Sequence, residues 1–257
     1  MKSFKAAIPN TLTLMNLFFG GLGVLFLLCF SNPVAAIICM AAAALFDLLD
    51  GMVARLLHAT SNIGADLDSL SDVVSFGLLP ALMAFDLLRR IAPVLYPGGE
   101  SAVLWMSAPA LFVALMAALR LAKFNNDTAQ HYGFKGLPVP ANALLWGGVY
   151  GGLSLSSPML VSTHPVVLWV VLWALVLITG LLMVSSLPMY SFKAFSRESG
   201  LSPKYKRAVK VAMGICLFGF LASLFWVTWH ALWIGMLCYI VTSLGIGMIF
   251  AGELKDN

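Results

Sequence analysis

The sequence predicts an all-α fold, a polytopic membrane helix bundle of about eight transmembrane helices. Three observations carry that expectation. Of 257 residues, 61% are hydrophobic and only 10% are charged, whereas a soluble domain is about a quarter charged. Apolar runs of the roughly 20 residues needed to cross a bilayer recur along the whole chain. The basic residues also divide unevenly between alternate connections, as they do in membrane proteins. So much apolar surface exceeds what a core of this size can hide, and lipid is the natural place for it.

The elements follow in chain order. A first helix is expected over 12–30. Lys2 and Lys5 ahead of an apolar run give it the look of a secretory leader. The run over 11–30 is too long for such a leader and no small-residue cleavage site follows, so it reads as a retained span. Helices over 33–56 and 66–88 come next, each with acids toward one end. The segment 96–101, with Pro-Gly-Gly, reads as a turn before a helix over 102–124. In the fifth helix, over 138–156, Gly147, Gly148, Gly151 and Gly152 form small-xxx-small pairs suited to close packing, within a protomer or across a homodimer. A sixth helix over 165–187 leads to a stretch rich in Lys and Arg over 191–206, expected on the membrane surface. Two additional C-terminal helices, over 208–228 and 231–251, complete a single integral membrane domain, 1–257. No period of 20–50 residues suggests repeats. Cys29, Cys39, Cys216 and Cys238 all fall in apolar runs, lack zinc-site spacing and read as buried packing residues.

With eight spans, thirteen basic residues fall on the side of both termini, and only Arg89 and Arg90 on the other. That bias puts both termini on the cytoplasmic side. The net charge of +4 then sits mostly on the face that meets anionic membrane lipid. No basic stretch outside the spans carries interleaved aromatics, so no nucleic acid partner is expected.

Against this apolar background, Asp47, Asp50, Asp66, Asp68 and Asp72 stand out, because an acid within a membrane helix costs about 2.5–3.5 kcal/mol. At about 100° per residue, Asp50, Gly51, Ala54 and Arg55 fall within about 80° of Asp47 on the second helix. On the third, Asp68 and Asp72 share a side with Gly64, and Asp66 points away. Two antiparallel helices can therefore turn two carboxylates each toward one space. Four facing carboxylates repel one another, and leaving them buried and unpaired is costly. Two divalent cations remove both problems, and oxygen-only ligands favour Mg²⁺, Mn²⁺ or Ca²⁺ over zinc. Such a pair is a device for displacement at phosphorus. Gly51 and Ala54 leave a smooth patch for a flat group, and Arg55 offers a planar fork for phosphate. Together they describe a nucleotide-diphosphate site.

These residues read Asp47-x-x-Asp50-Gly51-x-x-Ala54-Arg55, then eight residues, then Gly64-x-x-x-Asp68-x-x-x-Asp72. The pattern resembles the signature of the CDP-alcohol phosphotransferase family at every fixed position. Further segments resemble bacterial phosphatidylserine synthases within it: 8–17, 67–77 with Pro80-Ala81, 120–125, 134–141 and 185–193. Lys123 departs from the Arg common at its position, and it lacks Arg's bidentate fork. The resemblance spans a family-like catalytic core over 8–193. It implies a fold of the family type and transfer of a phosphatidyl group from CDP-diacylglycerol to L-serine with release of CMP. It also implies that Asp47, Asp50, Asp68 and Asp72 bind two metals, Mg²⁺ or Mn²⁺ with Ca²⁺ as a further option. Asp72 would act as general base. Gly51, Ala54, Arg55 and Gly64 would serve the nucleotide and its phosphates. Asn10 and Thr13, expected at the start of the first helix, offer donors either to the pyrophosphate or as helix caps. Arg120, Lys123 and Lys135 lie on the side from which serine enters and could meet its carboxylate. The expected setting is a bacterial inner membrane with the active site on its cytoplasmic side. The motif leaves open a phosphatidyl transfer to glycerol 3-phosphate or an inositol phosphate. An ion-coupled transporter is a further alternative, although its acids would be spread across the membrane depth.

Overall fold

A computed structural model describes residues 2–59, 62–96, 99–126, 134–156, 163–190, 202–226 and 230–250. Parts of three expected features lie outside the described residues: Pro97 and Gly98 of the turn, most of the basic stretch over 191–206, and the final residues of the last two helices.

Helix α1 runs Lys2–Leu28 and α2 runs Pro33–Leu56. The bounds of α2 are those expected, because its start is written in the sequence. Asn32 caps it by accepting the Ala35 N–H at 3.0 Å, and Pro33 sits where no amide donor is needed. Helix α1 begins ten residues earlier than expected. Pro9 lies inside it, where Pro usually ends a helix.

Helix α3, Asn62–Asp72, continues through a π-helical turn, Val73–Leu78, into α4, Leu79–Leu95. The expected span over 66–88 is therefore part of a longer rod. The wide turn has a local cause. Pro80 brings no N–H to a ladder, and the Leu79 N–H reaches back five residues to the Val74 carbonyl. Helix α5, Gly99–Ser107, starts inside the segment expected as a turn. A 3₁₀ turn at Ala108–Leu111, containing Pro109, joins it to α6, Phe112–Asn126.

Helix α7, Val139–Gly151, ends in a second π turn, Gly152–Ser156. Then come α8, Pro165–Val184, α9, Pro203–Trp226, and α10, His230–Ile249. Among the described residues, six stretches are long and apolar enough to cross a membrane: Ala7–Leu28, Pro33–Leu56, Ile63–Leu95, Gly99–Asn126, Pro165–Val184 and Leu232–Ile249. The two remaining expected spans form helices too. One is short and the other opens on Lys204, Lys206, Arg207 and Lys210.

Among the described residues the fold is all-helical apart from one two-residue strand pair. Strand β1, Phe134–Lys135, pairs antiparallel with β2, Pro188–Met189. It clips the segment after α6 to the segment after α8. Gly136, next to β1, has φ +75°, and a Cβ there would run into the Leu182 and Ser185 carbonyl oxygens at 2.8 Å. Only glycine fits that conformation at that distance.

The core is lined by α1, α2, α4, α6, α7, α8 and α10, with Trp146, Tyr150, Phe76 and Leu87 fully enclosed. Large apolar side chains such as Phe18, Leu48, Val170, Phe218 and Ile249 face outward, as a lipid solvent requires. Two glycines of α7 pack inside the protomer: Gly147 meets Met40 of α2, and Gly148 meets Leu232 and Trp233 of α10. The cysteines differ from expectation, with Cys39 buried, Cys216 and Cys238 partly so, and Cys29 exposed just beyond α1.

Candidate active site

The site forms where α2 ends and α3 begins, roofed by α1. Asp47 and Asp50 lie on the last turns of α2 and Asp68 on α3, and each offers a carboxylate oxygen within 4.8 Å of the others. Asp72 stands outside that tight group but is within electrostatic reach of all three. Asp66 is exposed, as its angle predicted. The chain reverses between the two pairs at His58, whose φ of 49° terminates α2.

Helix α1 is the third wall, and here the sequence reading needs correction. Thr13 lies within the helix, not at its start, and neither it nor Thr11 caps anything. Their hydroxyls donate back to the Pro9 and Ala7 carbonyls at 3.1 and 2.8 Å. The Thr13 hydroxyl is also engaged with Asp50 Oδ2 at 2.5 Å. One turn on, Asn16 is fully buried and its Nδ2 donates to Asp72 Oδ1 at 3.1 Å. Asn16 was not among the expected site residues. Its one-dimensional signal is a buried amide one helical turn from Thr13, on the same face. The approach of α1 is close because Gly20 lies against Ser75, whose hydroxyl donates to the Asn16 carbonyl at 3.1 Å. A side chain at Gly20 would push α1 off the π turn and pull Asn16 from Asp72.

Beside the acids is a cavity of about 170 Å³, lined in part by Asn10, Thr13, Asp50, Gly51, Ala54, Gly64 and Asp68. It gathers most of the expected nucleotide set. Pro9, Ala59 and Ala65 complete the lining. Arg55 is exposed and folds back along α2, its guanidinium nitrogens 3.6 and 3.9 Å from where a Gly51 Cβ would stand. Of the expected serine contacts, Arg120 is buried on α6 within electrostatic reach of Asp72 and Tyr239, with its guanidinium over the Phe124 ring at 5.7 Å. Lys123 is exposed on α6, and Lys135 belongs to β1. Asn125 ties α6 to α3 by donating to the Ser69 hydroxyl at 2.7 Å.

The donor set fits hard divalent cations. It is all carboxylate oxygen, and Asp68 Oδ1 is buried with no hydrogen-bond partner. Among the described residues no basic side chain makes an ion pair with Asp47, Asp50, Asp68 or Asp72, whereas Asp86 makes two. Buried like charges without a counter-charge are tolerated only if something positive joins them.

Residues 6–156 match the CDP-alcohol phosphatidyltransferase family. A CDP-diacylglycerol–serine O-phosphatidyltransferase of Mycobacterium bovis is 32% identical over 241 residues, covering 91% of this chain and 76% of the relative. The Methanocaldococcus jannaschii protein of the same name is 37% identical over 190 residues, covering 73% and 77%. That of Helicobacter pylori is 36% identical over 139 residues, covering 53% and 54%. With Asp50, Gly51, Ala54, Gly64 and Asp68 of the signature lining one cavity and these matches along most of its length, the chain belongs to the CDP-alcohol phosphatidyltransferase family, whose members use divalent metals.

Proposed function

We propose that this protein transfers the phosphatidyl group of CDP-diacylglycerol to the hydroxyl of L-serine, giving phosphatidylserine and CMP. One observation carries the reading: three carboxylates within 4.8 Å adjoin a cavity floored by Gly51 and Ala54, in a chain whose relatives bear that activity in their names. Two divalent cations, Mg²⁺ or Mn²⁺ with Ca²⁺ as a further candidate, held by Asp47, Asp50, Asp68 and Asp72, would neutralise four negative charges and stabilise charge on the leaving CMP.

The chain's own residues account for the rest. Asp72 takes the serine hydroxyl proton as the new O–P bond forms and the bond to CMP breaks. Asn16 holds that carboxylate in one orientation through its amide. Gly51, Ala54 and Gly64 receive the nucleotide, Asn10 and Arg55 meet its phosphates, and Thr13 acts on the site through Asp50. Arg120, buried near Asp72, is the favoured partner of the serine carboxylate, with Lys123 and Lys135 farther out. No Ser, Cys or His occupies a fixed position of the signature to serve as a covalent relay, so attack is direct and in line.

We place the reaction in residues 8–193 and the site at the cytoplasmic face of a bacterial inner membrane, with both termini on that side. The thirteen-to-two division of basic residues supports this orientation. CDP-diacylglycerol then keeps its tails in lipid while serine arrives from water. The test is CMP release by the purified protein with CDP-diacylglycerol and each alcohol in turn. Release that depends on serine and on a divalent cation is expected. Release driven equally by glycerol 3-phosphate or an inositol phosphate would overturn the assignment of serine.

A further inference from the structure

We propose that the groove between α9 and α10 is a binding site for an anionic phospholipid, separate from the reaction cavity. The groove encloses about 740 Å³, within the roughly 300–1,000 Å³ of sites that bury a small ligand. It shares no lining residue with the reaction cavity.

Its construction is amphipathic along its length. Lys204 and Arg207 stand at one end, on the first turns of α9. From there Val211 and Ile215 continue the same helix face, because spacings of three and four residues stack along one side. Ile246 and Ile249 of α10 form the opposite wall. Thr242, the lone polar residue deep in the groove, donates its hydroxyl to the Cys238 carbonyl at 2.7 Å. The interior therefore offers a ligand mostly hydrocarbon. From Lys204 to Ile215 the helix rises about 16 Å, close to the ~15 Å of hydrocarbon in one leaflet. Cations at one end of a leaflet-deep apolar slot are complementary to a lipid with a negative headgroup and an acyl chain.

Among the described residues no carboxylate pairs with Lys204 or Arg207. Lys206 and Lys210 do not line the groove, so its basic lining is two side chains. There is also room inside. A Cβ added at Gly245 would meet nothing within 4 Å, although this residue lines the groove. Each basic residue near an anionic lipid contributes about a fivefold preference, so the pair should favour an anionic headgroup by about 25-fold.

The experiment is native mass spectrometry of the full chain, stripped of lipid in detergent and titrated with phosphatidylglycerol or phosphatidylcholine. Circular dichroism and elution volume check that each variant is folded. The expected result is one phosphatidylglycerol retained per protomer, about 25-fold more tightly than phosphatidylcholine. Lys204→Gln with Arg207→Gln should remove that preference. Gly245→Phe, which fills the slot and leaves the charges, should weaken retention of both lipids. Gly51→Trp, which blocks the reaction cavity, should leave binding unchanged. Four outcomes would overturn the proposal: equal binding of the two lipids, undiminished binding by the Lys204/Arg207 double variant, an equal loss in Lys206→Gln with Lys210→Gln, or loss in Gly51→Trp. A changed oligomeric state in Gly245→Phe with lipid binding intact would give the groove to a second copy of the chain instead, and would also overturn it.

Discussion

The continuous rod over 62–95 carries buried acid toward both of its ends, and the two ends handle it in opposite ways. Near its start, Asp68 and Asp72 face Asp47 and Asp50 of α2; among the described residues the hydrogen-bond partners from α1 are polar and neutral, Thr13 on Asp50 and Asn16 on Asp72, and Arg120 stands within electrostatic reach of Asp72. Near its end, Asp86 is equally buried but fully answered. Arg89 and Arg90 approach it at 3.0 and 2.5 Å, the Tyr150 hydroxyl donates to it at 2.9 Å, and Arg90 stacks over the Tyr150 ring at 5.6 Å. The Asp86 cluster is electrically complete and joins α4 to α7. The other cluster makes no ion pair with a basic side chain among the described residues, which suits the cations proposed for it. One end of the helix is tied into the fold by ion pairs, and the other is the end to which the proposed function assigns a ligand.

The largest expected effect that would break this contrast is at the ligand end. Asp72→Asn should lower serine-dependent CMP release by about 10²–10⁴-fold, the usual contribution of a positioned base, while the helical circular dichroism stays native. Loss of fold with loss of activity would make Asp72 structural. Chelation should abolish activity reversibly, with recovery on adding Mg²⁺ or Mn²⁺. Next comes the structural end. Asp86→Ala leaves two guanidinium groups without their carboxylate and should cost about 2–3 kcal/mol of stability, below the value for fully buried pairs because both arginines are partly exposed. Urea-dependent unfolding reads this, and turnover per folded molecule should be unchanged.

Asn16→Ala removes the donor that orients Asp72 and should reduce activity or metal affinity about 10–100-fold, as loss of outer-shell partners does. Asn16→Asp would add a fifth negative charge and should be worse than Ala. The smallest effect has the opposite sign. Asp47→Asn removes one of the facing charges, so without metal it should stabilise the protein by about 1 kcal/mol, and saturating Mg²⁺ should erase that gain. Destabilisation of the metal-free protein by Asp47→Asn would contradict the reading of that cluster as uncompensated.

Much of this was legible in the sequence, for identifiable reasons. The second helix was bounded correctly because Asn32, Pro33 and the polar end after Leu56 mark it chemically. The acids were legible because charge is expensive in an apolar run and because their spacing fixes their faces. The placements that were missed depend on contacts between distant segments. Asn16 and Asp72 are 56 residues apart, and nothing in a single chain ties one to the other. Arg89 and Arg90 were read only as a weak basic signal on the outer side, because Tyr150, which completes their cluster, lies on another helix. The early start of α1, ten residues before the expected one, runs through Pro9, and a proline within a helix looks from sequence like a proline before one. The antiparallel clip at Phe134 and Pro188 is two residues long on each side, below any periodic signal.

The π turn over Val73–Leu78 sits between the two acid clusters and determines their relation. In an unbroken α-helix, Asp72 and Asp86 would project only about 40° apart. The one residue added by the wider turn shifts the phase of everything beyond it by about 100°, to a separation of about 140°. Asp72 can thus look toward α1 while Asp86 looks toward α7, although both ride on the same rod. A single-residue deletion within the turn would restore regular winding yet put the two carboxylates out of step, so that docking either one correctly would misalign the other.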